Sequence, residues 1–189
     1  VTGTQVVLEA ARDSGVERLV YVSTLNVYDA SRYPDGAEID EAFPDESQPE
    51  RRGAYSHAKL LAEREVRAFD PGSTMSILVV RPGLVYGPGG SGLPADVGIR
   101  VGRRAVVVPG GSRRIPVVFI TNLVDALVEG GRGDAVGRQS IVNVVDPDYP
   151  SQRRYLQRYR ELTGERLVAL YVPFPVISVC CWMAERVFA

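Results

Sequence analysis

The stretch Ser76-Ile-Leu-Val-Val-Arg81, followed at once by Pro82-Gly83, indicates the fold of this chain. A short apolar run rich in β-branched residues is typical of a strand that is buried on both faces of a parallel sheet. Proline and glycine predict a turn directly after it. Upstream, Arg18-Leu-Val-Tyr-Val-Ser23 has the same character. We therefore predict two buried parallel strands.

Segments with helical periodicity separate and follow these strands. The first predicted helix is 4–11, and its expected packing face carries Val6, Val7, Ala10 and Ala11. The longest is 53–69, where Tyr55, Lys59 and Glu63 share one stripe. Further helices are predicted at 93–101, 122–129 and 152–162, and further strands at 105–108, 116–120 and 140–144.

Alternating strands and helices predict an α/β fold, a Rossmann-like doubly wound parallel sheet. We expect residues 1–92 to be the C-terminal portion of a dinucleotide-binding domain. Residues 93–189 are expected to be mainly a small substrate-binding part, with some elements returning to the first sheet. Ligands of such sheets bind beyond the carboxyl ends of the strands, where Thr24 and Pro82 would lie.

Composition limits the classes of function. The chain has 189 residues, 45% of them hydrophobic and 24% charged, as in a soluble globular domain. The net charge of -1 favours neither a nucleic acid nor an acidic membrane as partner. Cys180 and Cys181 are adjacent and give no disulfide framework, so a reducing compartment, the cytoplasm, is expected. His57 is the only histidine, and we expect no metal site.

Both ends of the chain carry information. Val1 begins a helical pattern without a signal peptide, so we expect a fragment of a longer protein. Residues 167–184 contain no charged side chain and approach the shortest length of a membrane span. Pro173 and Pro175 would break a helix there, which favours a buried loop and helix.

The first chemical motif is Tyr55-Ser-His-Ala-Lys59. Residues four apart on a helix face the same way. A tyrosine hydroxyl has an ordinary pKa of about 10, and a neighbouring cation stabilises the phenolate. Such a tyrosine can exchange a proton with a substrate hydroxyl or carbonyl. The spacing alone also fits a solvated helix stripe.

Two further segments follow the predicted strands. Ser23 and Thr24 place hydroxyls where a substrate oxygen could bind, although either could instead cap a turn. Val80-Arg-Pro-Gly-Leu-Val-Tyr-Gly-Pro-Gly89 offers backbone that could meet a cofactor carboxamide, and it also fits a plain turn.

Together these motifs resemble the extended short-chain dehydrogenase/reductase family, which includes the NAD-dependent epimerases and dehydratases and the 3-beta-hydroxysteroid dehydrogenase-like enzymes. The resemblance covers nearly the whole chain. Thr24 matches the Ser/Thr position before a "VYG"-like end, with Asp29 in place of the glycine. Tyr55 and Lys59 match YxxxK, and 81–88 match RPxxVYGP. Asn122 stands where an aspartate is more usual.

The resemblance implies roles for these residues. Thr24, Tyr55 and Lys59 would be catalytic. Tyr55, Lys59, Pro82, Gly83 and Val85 would contact NAD or NADP, whose main binding loop is absent from this chain. The substrate would meet Ser23, Thr24, Tyr86 and Arg114, although Arg113 and Arg114 also fit a solvated basic turn.

The resemblance further implies a small-molecule substrate and, in relatives, a dimer face that includes the Tyr55 helix. The expected activity is an NAD(P)-dependent interconversion of hydroxyl and carbonyl, with Tyr55 as acid and base. A nucleotide-sugar epimerase or dehydratase is the alternative, and a non-catalytic NAD(P)-binding sensor is the second alternative. We expect the fragment alone to be inactive.

Overall fold

The computed structural model describes residues 2–29, 38–72, 74–90, 92–132, 138–173, 175–177, 179, 183 and 186. The chain forms two compact units. The first comprises Val1–Pro88 and Val117–Asp146, and the second comprises Gly89–Pro116 and Pro147–Ala189.

The helices and strands alternate along most of the chain. The helices are α1 (Thr2–Asp13), α2 (Gly53–Ala68), α3 (Ile120–Arg132) and α4 (Gln152–Thr163). The strands are β1 (Arg18–Val22), β2 (Ser76–Pro82), β3 (Leu84–Tyr86), β4 (Ile99–Val101), β5 (Ala105–Pro109), β6 (Val117–Phe119), β7 (Gln139–Val144) and β8 (Val168–Val172). Short 3₁₀ helices occupy Leu25–Val27 and Pro49–Arg52.

The main sheet of the first unit is parallel and has the order β1-β2-β7. Alternate side chains of β2 enter two separate cores. Ile77 and Val79 pack with Leu8 of α1 and Val66 of α2, whereas Leu78 and Val80 pack with Leu123 of α3. Helices therefore cover both faces of the sheet, and the predicted α/β Rossmann-like fold is confirmed.

The second strand pair of the first unit joins β3 to β6 in parallel. Gly87 follows β3 with a φ of +152°, and a Cβ there would lie 2.5 Å from Ile120 Cγ2. Any larger residue at this position would collide with the start of α3. The close approach explains why a glycine follows Tyr86.

The second unit contains the sheet β4-β5-β8, in which β4 is antiparallel and β8 parallel to β5. Helix α4 begins at a Ser151 cap that accepts from the Arg154 N–H, and it ends at Gly164 in the left-handed conformation. These signals are local, and the helix predicted over 152–162 is confirmed.

The helix predicted over 93–101 is wrong. Residues 95–97 form a turn, and β4 pairs with β5 instead. Gly98 packs so closely on β5 that a Cβ would lie 2.6 Å from Val106 Cγ1. Pairing with the next strand of the chain, β5, has therefore overridden the helical period, which glycines weaken here.

Three predictions of burial are also wrong. Strand β1, expected to be buried, is only half-buried, and its Val22 is 37% exposed. Val6 and Val7 of α1 are exposed, whereas Leu8 enters the core. The expected buried loop after residue 167 is the strand β8, whose Val168 and Leu170 are exposed. Cys180 and Cys181 lie outside the described residues. No described helix combines the length and apolar character that crossing a membrane requires.

Candidate active site

Strands β1 and β2 end side by side, with Val22 opposite Val80. The Ser23 N–H continues the ladder by donating to the Val80 carbonyl at 2.7 Å. Thr24 and Pro82 therefore leave the same edge of the sheet. Parallel sheets of this type bind ligands at this edge.

Thr24 forms the cap of the 3₁₀ helix that follows β1. Its backbone is extended, and its Oγ1 accepts from the Asn26 N–H at 3.3 Å. The side chain is largely buried. This bond uses a lone pair of the oxygen and not its hydrogen. The hydroxyl hydrogen of Thr24 can therefore be donated to another group.

Helix α2 brings Lys59 to this edge, and Tyr55 lies one turn before Lys59 on the same helix. Tyr55 is 60% exposed. The Lys59 ammonium donates to the Val22 carbonyl at 3.0 Å and lies 5.8 Å from the centroid of the Tyr21 ring. Lys59 thus ties the helix to the carboxyl end of β1, next to Ser23 and Thr24.

The stripe of Tyr55 and Lys59 continues into a buried ion pair. Glu63 is 0% and Arg81 1% exposed. Arg81 donates to the Glu63 carboxylate through Nε, at 3.2 Å, and through Nη2. The Ser23 hydroxyl also donates to Glu63. One carboxylate therefore joins α2, β2 and the end of β1.

Arg81 has further partners on its other side. Its Nη2 donates to Asp45 at 3.2 Å, and its guanidinium carbon lies 4.4 Å from the Tyr28 ring centroid. Burial disfavours the charged form of Arg81, but hydrogen bonds to Glu63 and Tyr28 outweigh burial and raise the pKa of Arg81. The guanidinium stays charged, and the carboxylate of Glu63 is its counterion.

The segment after β2 is held by the sheet. The Gly83 N–H donates to the Val144 carbonyl at 3.0 Å, and Pro82 is buried. Val85 is 40% exposed. The Tyr86 hydroxyl donates to Asp146 at 3.0 Å. The Gly83 amide and the Tyr86 hydroxyl are thus already used by the fold.

Asp146 organises the start of α3. Its carboxylate accepts from the Phe119 N–H at 3.1 Å and from the Asn122 side chain at 2.8 Å, in addition to Tyr86. A carboxylate at a helix N-terminus is favoured by the helix dipole. Sequence reasoning missed Asp146, and it placed Glu63 on the stripe of Tyr55 and Lys59 without giving it a role in the site. The available signal for Asp146 was an acidic residue shortly after a predicted strand. The available signal for Glu63 was an acidic residue one helical turn beyond Lys59.

Arg114 belongs to the second unit, whereas the other predicted site residues belong to the first. It is exposed, its backbone bridges to Ser151, and it makes no ion pair within the described ranges. The structure thus groups Ser23, Thr24, Lys59 and Pro82 around one edge of the first sheet.

This edge suits part of a dinucleotide. The Tyr55 hydroxyl and the Lys59 ammonium offer donors of the kind that bind ribose hydroxyls and a substrate oxygen. Among the described residues, no strand passes through a glycine-rich turn into a helix, which is the usual site for the phosphates.

Comparison with known proteins gives consistent matches. Residues 1–144 match the model of the NAD dependent epimerase/dehydratase family. UDP-glucose 4-epimerase of Vibrio cholerae is 30% identical over 129 residues, which are 67% of this chain and 38% of that protein. 2-Alkyl-3-oxoalkanoate reductase of Stenotrophomonas maltophilia is 32% identical over 124 residues, 65% of this chain and 36% of that protein.

A solved structure extends the match. MoeE5 in complex with UDP-glucuronic acid and NAD is 25% identical and superposes with a TM-score of 0.67, over 92% of this chain and 57% of that one. The matched part is thus less than two thirds of each of these three proteins.

Proposed function

Because the chain belongs to the NAD-dependent epimerase/dehydratase family, we propose that it forms the catalytic part of an NAD(P)-dependent enzyme that interconverts a hydroxyl and a carbonyl group. The observation that carries this proposal is the position of Lys59. Its ammonium lies at the carboxyl end of β1, on the same helix stripe as the exposed Tyr55.

In this proposal Tyr55 moves the proton. The nicotinamide ring, when bound, supplies or accepts the hydride. As a phenolate, Tyr55 takes the proton from a substrate alcohol, and as a hydroxyl it returns that proton to a substrate carbonyl oxygen. The Lys59 ammonium would hold a ribose hydroxyl.

Thr24 would orient the substrate oxygen. Its Oγ1 already accepts from the Asn26 N–H, so its own hydroxyl hydrogen is available to donate. Ser23 would act less directly, because its hydroxyl donates to Glu63. Tyr86 would offer its ring, since its hydroxyl donates to Asp146. Arg114 lies in the second unit, and its role as a substrate contact stays a prediction.

The cofactor would also meet the segment after β2. Since the Gly83 amide is engaged with Val144, we assign Pro82, Gly83 and Val85 the role of a contact surface for the nicotinamide end. The exposed side chain of Val85 would be its main contact. The cofactor itself is NAD or NADP.

The test is Tyr55→Phe in the protein with any sequence flanking residues 1–189 retained. We expect turnover to fall about 10²- to 10⁴-fold, since the acid/base group is removed, while binding of the nicotinamide cofactor persists. Tyr149→Phe is the control and should keep full turnover. Unchanged turnover in Tyr55→Phe would contradict the proposed mechanism.

A nucleotide-sugar epimerase or dehydratase is the second candidate, because the Vibrio cholerae relative is a UDP-glucose 4-epimerase and MoeE5 was solved in complex with UDP-glucuronic acid. The Stenotrophomonas maltophilia reductase supports the first candidate. The net oxidation or reduction of the nicotinamide cofactor during turnover distinguishes the two candidates. An oxidoreductase accumulates oxidised or reduced nicotinamide in step with product, whereas an epimerase returns the hydride and leaves the cofactor unchanged.

A further inference from the structure

The sheet of the second unit has one buried face and one exposed face. Val106 and Val108 of β5 point to the buried face and are fully enclosed. Side chains alternate along a strand, so the residues between them point the other way. The strand register therefore determines which side chains share the exposed face.

The exposed face is apolar across all three strands. Ile99, Val107 and Leu170 form one row, and Val101, Ala105 and Val168 form the next. The four outer side chains, hereafter the apolar face, are Ile99, Val101, Val168 and Leu170, with exposed fractions of 60%, 54%, 67% and 59%. A solvated sheet face normally carries polar side chains, and a contiguous apolar patch marks an interaction site.

An arginine cluster borders one end of the apolar face. It consists of Arg103 and Arg104, on the turn between β4 and β5, and Arg166 before β8. The Val168 N–H donates to the Arg104 carbonyl at 2.7 Å, which brings the turn beside β8. All three side chains are exposed, and within the described part of the chain none of them forms an ion pair.

Arg100, in contrast to the arginine cluster, has acidic and polar partners. Arg100 points to the opposite face, where it donates to Glu165 at 2.6 Å and to the Tyr159 hydroxyl at 3.3 Å. Its charge is therefore neutralised. The three arginines next to the apolar face, in contrast, have no ion pair among the residues that the structure describes.

The second unit is also much more basic than the chain as a whole. Residues 89–116 and 147–189 contain eleven arginines, no lysine and five acidic residues, whereas the entire chain has a net charge of -1. The whole-chain charge averages a basic unit and an acidic one. An expectation based on the average misses the basic surface.

We propose that the apolar face and the arginine cluster dock the second unit on an anionic lipid surface. Aliphatic side chains can enter the boundary between headgroups and acyl chains, while neighbouring arginines bind lipid phosphates and carboxylates. A nucleic acid would pair with the arginines but would leave four aliphatic side chains exposed. A second copy would bring a like-charged cluster, and the residues of this face include no acid.

The test is sedimentation with vesicles, using the protein with any sequence flanking residues 1–189 retained. Vesicles of phosphatidylcholine with phosphatidylserine are compared with vesicles of phosphatidylcholine alone. We expect binding to the anionic vesicles only, weakened by added salt because exposed charges are screened. Arg103→Gln with Arg104→Gln should weaken binding roughly fivefold for each arginine removed.

A second variant tests the apolar contribution. Val168→Ser with Leu170→Ser should weaken binding about tenfold or more. Val124→Ser with Val128→Ser is the matched control, because these α3 residues are 47% and 41% exposed and lie in the other unit. The control should bind like the unchanged protein, and circular dichroism of all variants should agree.

Three outcomes would overturn the proposal. The protein could stay in the supernatant with both vesicle types. Both double serine variants could lose binding equally. Alternatively, Val168 and Leu170 could prove necessary for dimer formation in analytical ultracentrifugation, without vesicle binding. None of these measurements depends on hydride transfer, so the proposed function is tested separately.

Discussion

Lys59 is the only lysine of the chain, which otherwise uses 21 arginines as its cations. A generic positive charge at this position would be supplied by arginine, as it is elsewhere. Lysine differs in being a compact point charge on a flexible stem, whereas the guanidinium is planar and wide. The site therefore favours the shape of the ammonium as well as its charge.

We expect Lys59→Arg to fold normally and to lose at least about tenfold in turnover, since a misplaced group at a reacting centre costs one or more powers of ten. Steady-state kinetics of the protein with its flanking sequence provide the measurement. Arg132→Lys, an exposed exchange on α3, is the control and should leave turnover unchanged. Full turnover of Lys59→Arg would show that charge alone suffices.

The Glu63–Arg81 pair leads to a prediction on stability. Arg81→Met leaves the buried Glu63 carboxylate with only the longer ion pair to Arg67 at 3.8 Å, and we expect the free energy of unfolding to fall by about 3–5 kcal/mol. Adding Glu63→Met should recover most of this loss, because two apolar side chains replace two charges. Urea unfolding of the chain measures both. A double variant as unstable as the single one would show that the carboxylate does more than balance Arg81.

At this scale the sequence allowed the stripe of Tyr55, Lys59 and Glu63 to be predicted, because helical spacing is local. It did not reveal that the stripe passes from solvent into the core within two turns. That depends on Arg81 of β2, which approaches α2 only in the folded chain. Asp146 was missed for the same reason, since its three partners lie on other elements. The catalytic roles stay predictions.

At the level of elements, apolar runs predicted both β1 and β2. Burial on both faces, which leaves little choice of residue, holds only for β2, because β1 is the edge strand of the described sheet. Helix α4 was predictable from its own Ser151 and Gly164. Strands β4 and β8 were missed, because each is defined by pairing with β5 and carries exposed apolar residues. Strand β8 depends on a partner that is distant in the sequence and has no comparable local signal, whereas β4 pairs with β5 across the short turn 102–104.

Gly98 provides a test of that pairing. Gly98→Ala places a Cβ 2.6 Å from Val106 Cγ1 and 3.0 Å from the Val107 carbonyl oxygen. Overpacking of this kind should lower the free energy of unfolding by about 1–3 kcal/mol. Gly3→Ala is the opposite case, since nothing lies within 4 Å of its added Cβ in α1. It should stabilise the chain by about 0.4–1 kcal/mol. Thermal melts of both variants would expose any reversal of these signs.

For the whole molecule, the two units divide the sequence differently from its linear order. Val117–Asp146 lies with Val1–Pro88, because β7 pairs with β2 and α3 packs on the same sheet. The insertion between them, Gly89–Pro116, pairs with β8 instead. Sequence patterns predict the elements but not which sheet each one joins. The assignment of cofactor binding to the first unit and substrate binding to the second stays a proposal.

Both units contain tyrosines that predict how stability responds to alkali. Burial raises the pKa of Tyr21, Tyr28 and Tyr155 above the ordinary value of 10.0, and for Tyr21 the charges of Glu63 and Tyr55 add to the effect. The folded chain thus holds these protons more tightly than the unfolded chain. Their contribution to stability is fully present below about pH 10 and is lost as the pH rises above it.

We therefore expect the free energy of unfolding to stay level up to about pH 10 and to decline over the range above it. Tyr155→Phe should reduce that decline, because a phenyl ring has no proton to lose. Tyr28→Phe should also reduce it, but from a lower starting stability, since it removes the 2.8 Å hydrogen bond to Asn143. Urea midpoints measured across this range separate the two effects. The free energy of unfolding could decline as steeply in both variants as in the unchanged chain. Groups other than Tyr155 and Tyr28 would then cause the alkaline unfolding.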